Sequence, residues 1–252
     1  MQAQLKHETI DPDPCITAPD SKYRGAENQL YRVEIHSVSK DKDGNLQSWN
    51  FKWSRENGSI VAAWLGTNED GGLIVSSTRG FEAGGWVEIT SDINELYNTP
   101  GRLTKIVKVE GDALYLEQGP DTEWDKEILV KFRQWDQRDV DDVKPDPGAV
   151  PGPKDDKTWI DLEDGIQVCF ELSLGQDFRS GDYWLIPARV ATGQIEWPQP
   201  DPINKDKEIP RALKPHGIQH HYAPLARIKW DGGSFSLIEE CRHPFDPLPT
   251  HG

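Results

Sequence analysis

The feature that most constrains this chain is a period-two alternation, interrupted every 8–12 residues or so by turn residues. In LYRVEIHSV (30–38), Tyr31, Val33 and Ile35 alternate with Arg32, Glu34 and His36, as in a strand with one buried face. DKDGN follows, and its Asp-Gly pair is a hairpin signal. SWNFKWS (48–54) then alternates Trp49, Phe51 and Trp53 with Asn50 and Lys52. Asn57-Gly58 in RENGS supplies the positive φ of a second turn, and IVAAWL (60–65) reads as the next strand.

The habit continues to the end of the chain. GGLIVSSTRGFEAGGWVEIT reads as a strand, a glycine-rich turn and a strand. SDINELYN carries Ser91 as an N-cap with Glu95 near the capping-box position, predicting one or two helical turns. TPGRLTKIVKVEGDALYLEQG is a hairpin around Gly111-Asp112, and EILVKFRQW is a further strand. WIDLEDGIQVCFELSL, GDYWLIPARV, TGQIEW and the hairpin ARIKWDGGSFSLIEE complete the set. Many short strands with almost no helix predict an all-β fold, an antiparallel sandwich or barrel-like lobes with long Pro/Asp-rich loops.

Prolines set the expected boundaries. Residues 1–28 hold Pro12, Pro14 and Pro19 with little apolar mass, so an extended arm or a truncated connection is expected there. Residues 29–138 form a first β lobe. Residues 139–157, with four Pro and six Asp, form a linker or a long hairpin loop. Residues 158–246 form a second lobe packed on the first, and 247–252 are a tail. FEAGGWVEI (81–89) and FRSGDYWLI (178–186) share Phe-x-x-Gly-x-aromatic-x-x-Ile, which raises an internal duplication as a hypothesis.

Composition excludes some functions. A net charge of −15 disfavours nucleic acid and anionic membranes as partners. No apolar run is long enough to cross a bilayer, and the first residues have no secretory apolar stretch. Cys15, Cys169 and Cys241 are odd in number and far apart, as free thiols of a reducing cytoplasm would be. There is no G-x-S-x-G, phosphate-binding loop or dinucleotide fingerprint, so no catalytic residue and no cofactor is assigned.

Two groups remain as candidate sites. KPHGIQHHYAPL holds His216, His220 and His221, a weak alternative for a metal. Pro215 and Gly217 oppose a helix, and an extended chain turns His220 and His221 to opposite faces. A zinc site would then need distant ligands such as His36 or His243. Trp49, Trp53, Arg55 and Glu56 are weak ligand-binding candidates: the indoles could stack on a sugar and the charged pair could form a ligand edge. Phe51 shares the face of both tryptophans, which favours the core for them. A glycan-binding or glycan-active protein is thus the alternative function, with Trp184 and Trp197 as further stacking candidates.

CITAPDSKYRGAENQLYRVEIH, FKWSRENGSIV, FRSGDYWLIPARVATGQIEWP and PHGIQHHYAPLA together resemble an uncharacterised bacterial domain family over residues 15–245. Its members are often encoded near the genes of phage-tail-like contractile injection systems. They carry an N-terminal region with a QQGRVLLDADWNEQ-like signature that this sequence does not show. The resemblance implies a non-enzymatic structural or attachment part of such a particle, at its baseplate or fibres, with other protein subunits as partners. The expected location is a cytoplasmic assembly, or a released or membrane-docked particle.

Overall fold

The computed structural model of the chain describes residues 1–6, 22–120, 129–138, 147–172, 178–198, 210–217 and 223–242. In chain order its first elements are β1 (Gln2–Leu5), β2 (Gln29–Lys40), β3 (Leu46–Ser54), β4 (Val61–Thr67), β5 (Leu73–Val75) and β6 (Trp86–Ser91). Next come the helix α1 (Asp92–Tyr97), β7 (Arg102–Glu110), β8 (Ala113–Leu116), β9 (Val130–Trp135) and β10 (Val150–Pro151). The last are β11 (Trp159–Asp161), β12 (Ile166–Cys169), β13 (Tyr183–Arg189), β14 (Gln194–Ile195), β15 (Ala226–Trp230) and β16 (Phe235–Glu240). The fold is all-β, as the alternation predicts. It divides into two units, Met1–Gly217 and Ile218–Gly252.

The first unit contains a sandwich and a barrel. A five-stranded sheet of order β10-β3-β2-β13-β14 faces a three-stranded sheet of order β1-β12-β11. Period-two positions supply their common core: Tyr31, Val33 and Ile35 from β2, and Trp49, Phe51 and Trp53 from β3. Trp184, Ile186 and Ala188 come from β13, with Ile166 and Val168 from β12. Buried indoles need a partner for their N–H. Trp49 donates to Pro153 O at 3.2 Å, Trp184 to Leu213 O at 3.0 Å and Trp197 to Arg211 O at 2.9 Å.

The barrel closes in the order β4-β5-β8-β7-β6-β9, each pair antiparallel. Its interior is filled by Val87 and Ile89 from β6, Ile106, Leu114, Val130 and Phe132, so it is a packed core and not a channel. α1 leads from β6 toward β7. Ser91 caps it with Asn94 as the reciprocal capping-box partner. Glu95 lies one position beyond the box and pairs with Lys131 at 2.9 Å.

Three sequence expectations are corrected. Residues 1–6 are not part of an extended arm. β1 pairs with β12 in the register Gln2↔Cys169 to Leu5↔Ile166, burying Ala3 and Leu5, and Met1 exchanges backbone hydrogen bonds with Leu213. Residues 7–21 lie outside the described residues. The boundary at 139–157 does not separate two lobes, because β2 and β3 of the first half share a sheet with β10, β13 and β14 of the second. The described part of that segment is held down: Val150 pairs with Phe51, and Gly148 and Gly152 lie against Trp86 and Trp49. A Cβ on Gly148, where φ is +86°, would stand 2.3 Å from the Trp86 ring. The segment's glycines are thus close-approach positions.

The internal echo is the third. Its two copies start strands in different sheets, β6 in the barrel and β13 in the sandwich, which ends the duplication hypothesis. What they share is local. Gly84 and Gly181 both have positive φ, and each donates its N–H to an isoleucine on the neighbouring strand, Ile106 O at 2.7 Å and Ile35 O at 2.9 Å. The following residue of each closes an i→i+3 turn and accepts that isoleucine's N–H. One strand-starting device is used twice.

Candidate functional site

The outer face of the five-stranded sheet meets the outer wall of the barrel, and the meeting plane is charged. Lys52 on β3 points away from the aromatic face of its strand, opposite Glu34 in register. A β-bulge between Ile35 and Ser37 leaves His36 as an extra residue, so Ile35 and His36 are both buried. From the barrel comes Glu88 on β6, whose neighbours Val87 and Ile89 are in the barrel core.

Glu88 is 5% exposed and its carboxylate is fully engaged. Oε1 accepts from Lys52 Nζ at 2.6 Å and from Gly101 N–H at 3.0 Å, and Oε2 accepts from the Trp135 indole at 2.9 Å. Lys52 also lies 3.3 Å from Glu34 and 4.5 Å over the Trp135 ring, and His36 Nδ1 is 3.9 Å from Glu88. Burial alone would push the Glu88 carboxyl up. The Lys52 ammonium, then His36, and the hydrogen bonds from Lys52 and Trp135 outweigh it and hold the group at about 2. This seam is closed to solvent and acts as a structural clamp between barrel and sandwich.

Trp135 links the seam to an open cavity of about 620 Å³ beside it. Arg55 and Glu56, at the turn after β3, form one wall; Gly84–Trp86 and Gln134–Arg138 form others. Arg55 is fixed in place. Its backbone N–H donates to Asp136 Oδ2 at 2.8 Å, its Nε lies 3.4 Å from Asp136 and its Nη2 donates to Glu163 at 3.0 Å. Glu163 also accepts from Tyr31 OH at 3.1 Å. Burial raises the Glu163 carboxyl above its ordinary range, and Arg55 offsets only part of that. Lys105 Nζ sits 5.0 Å over the Trp86 ring on the cavity wall, and among the described residues the carbonyl of the buried Gln134 side chain has no hydrogen-bond partner. The lining is polar and of mixed charge. Among the described residues it holds no Ser, Thr, Cys or His, and its carboxylates are those of Glu56, Glu82 and Asp136.

The sequence candidates separate accordingly. Arg55 and Glu56 line the cavity. Trp49 and Trp53, each 4% exposed, are in the sandwich core and cannot present a face to a sugar. His216 is exposed, exchanges backbone hydrogen bonds with Tyr183 at 2.7 and 2.8 Å, and lies with its ring 5.4 Å from the Tyr183 ring. His220, His221 and His243 lie outside the described residues. Among the described residues no group of three His, Cys, Asp or Glu could hold a metal ion, and no helix is long and apolar enough to cross a membrane.

The second unit presents a different kind of surface. β15 and β16 form a two-stranded hairpin with a bulge beside Ile228, pairing Ile228 with Leu237 and Trp230 with Phe235. These four side chains share one face and are 55–68% exposed. Arg227, Lys229, Ser236 and Glu239 occupy the other face.

No curated protein and no solved structure matches this chain. A family model matches residues 1–70 and 120–251, well over half of the sequence, so the chain belongs to DUF6519, a family of unknown function.

Proposed function

We propose that the protein is a non-enzymatic structural or interaction module that works as a subunit of a larger protein assembly. The observation that carries this reading is the hairpin β15–β16, whose apolar face is exposed. A two-stranded ribbon is marginal in water unless its apolar side is covered. Such a face on an otherwise Trp-cored, rigid molecule is the mark of a docking element. The first unit supplies the rigidity: a closed barrel clamped to a sandwich through Lys52 and Glu88.

The finer reading rests on the resemblance to proteins encoded beside contractile, phage-tail-like injection systems. On it, the assembly is such a particle, the chain is a baseplate, fibre or attachment part, and it resides in a cytoplasmic assembly or in the released or membrane-docked particle. The alternative, a glycan-binding or glycan-active protein, depends on exposed Trp and on carboxylates. Trp49, Trp53, Trp184 and Trp197 are 4, 4, 1 and 5% exposed, so its stacking platforms are absent from those positions.

Affinity isolation of the native full-length protein from its own cells, followed by mass spectrometry of what remains bound, tests the proposal. Stoichiometric recovery of sheath, tube or baseplate-type proteins supports the particle reading. Recovery of the chain alone, together with turnover or tight binding of an oligosaccharide, rejects both levels of it.

A further inference from the structure

From the exposed face of the hairpin we infer that β15–β16 is a homotypic interface, packing against the same hairpin of a second copy of this chain. The inference deepens the interaction-module reading and rests on it.

The first argument is area. The four side chains that share this face, Ile228, Trp230, Phe235 and Leu237, are 55–68% exposed. A free aromatic side chain presents about 150–250 Å², which is an upper figure for Ile and Leu. At that exposure the four offer roughly 350–600 Å² per copy, below the ~800 Å² per partner of a standard interface and in the range of a weak, concentration-dependent one.

The second is charge. Over the described residues 223–242, Arg227, Lys229 and Arg242 balance Asp231, Glu239 and Glu240, so the hairpin is neutral on a chain of net charge −15. Two copies repel one another over their general surface and can meet without that repulsion here. Each cation is already paired within the hairpin: Arg227–Glu239 at 2.9 Å, Lys229–Asp231 at 3.0 Å and Arg242–Glu240 at 2.6 Å. No charge is left over to select a partner of complementary sign, and the surface that remains is apolar and matches itself.

The third is geometry. Trp230 stacks near Phe235 at 4.7 Å toward the turn, and the aliphatic pair Ile228–Leu237 lies one step along. A two-fold axis through the middle of this face sets the aromatic pair of one copy on the aliphatic pair of the other, the self-complementary pattern of an isologous contact.

The test uses the full-length chain in sedimentation velocity from about 1 to 100 µM, with hydrogen exchange read at both ends of that range. Expected is a concentration-dependent dimer whose hairpin amides gain protection as it forms. Trp230→Ser and Phe235→Ser should each weaken it at least about 30-fold, as hot-spot aromatics do. The melting of the first unit should stay unchanged, which separates lost association from lost folding. Lys108→Ala, on the barrel, should leave the dimer intact. A monomer at every concentration overturns the inference, and a hairpin protected in that monomer shows its own chain covering it. A dimer that both serine variants leave intact overturns it too. If the chain is monomeric and the serine variants still abolish recovery of other particle proteins from cells, the inference falls while the interaction-module reading stands.

Discussion

The clamp between barrel and sandwich makes a prediction whose sign is unusual. Consider Lys52→Met. In the native protein the Glu88 carboxyl sits at about 2 against an ordinary 4.5, a difference worth about 3 kcal/mol in favour of the charged form. Its folded value is depressed, so its contribution is fully present above pH 4.5 and is lost only as pH falls through about 2. Between pH 5 and 7 Glu88 therefore adds no slope to the stability.

Removing the Lys52 ammonium leaves burial, the largest influence on the group, opposed only by His36 and the Gly101 and Trp135 donors. The folded carboxyl then rises above its unfolded value and the sign reverses. The folded state of the variant binds a proton that the unfolded state releases, so stability falls by up to ~1.4 kcal/mol per pH unit as pH rises above the unfolded value. Breaking one partner of a buried pair costs about 3–5 kcal/mol. Up to about 2.7 kcal/mol of the deficit at pH 7 should thus be recovered by pH 5, as the carboxyl takes up its proton.

Urea unfolding at pH 5, 6 and 7 measures this as the difference from the native protein, which cancels groups common to both. Glu34 and His36 share the seam, so Lys52→Met/Glu88→Gln is the control: with no carboxyl at 88, the added slope should vanish. A Lys52→Met variant that parallels the native protein across this range would refute the account of a buried, charge-compensated Glu88.

Other expectations follow from particular contacts. Gly148→Ala places a Cβ at positive φ and against the Trp86 ring, and should cost about 3 kcal/mol or more by urea unfolding. Ser91→Ala removes the helix cap and one side of the capping box, costing about 1 kcal/mol by the same measurement. Arg55→Ala strips the half-buried Glu163 of its cation, pushing that carboxyl further up; stability should drop more at pH 7 than at pH 4.5, with the backbone bond from residue 55 to Asp136 retained.

The strands were legible because period two is a local signal, and β2, β3 and the β7–β8 and β15–β16 hairpins sit where their alternation and turn dipeptides put them. Neighbours were not. Alternation says which face of a strand is buried but nothing of what lies beside it, so the pairing of β2 with β13 and the closing of β9 onto β4 carry no local mark. β1 is only four residues long and is followed by a proline-rich stretch, too short a run to separate from an arm. β6 shows the limit most clearly. All six of its residues are buried, because the barrel core covers one face and the sandwich lies against the other. Glu88 and Lys52 therefore read as solvated positions although both are interior. At the candidate site, Arg55 and Glu56 were recognisable as charged residues at a turn. Trp49 and Trp53 sit in the core for the reason visible in their spacing: Phe51 shares their face.

The family match and the barrel bear on one another. The matched residues end at 70 and resume at 120, and the stretch between them supplies β5, β6, β7 and β8, four of the six barrel strands. β4 and β9, paired with each other, belong to the matched part, as do all strands of the sandwich. The barrel thus combines two strands from the matched residues with four from the stretch between them. Lys52 lies in the matched part and Glu88 in the interposed stretch, so their buried ion pair joins the two. An apolar contact would resist separation of the two parts equally well but would tolerate a shift along the sheet. A carboxylate that must meet an ammonium, an indole N–H and a backbone N–H together does not. This ties the position of the barrel to that of the sheet, and with it the shape of the cavity whose wall Trp135 shares.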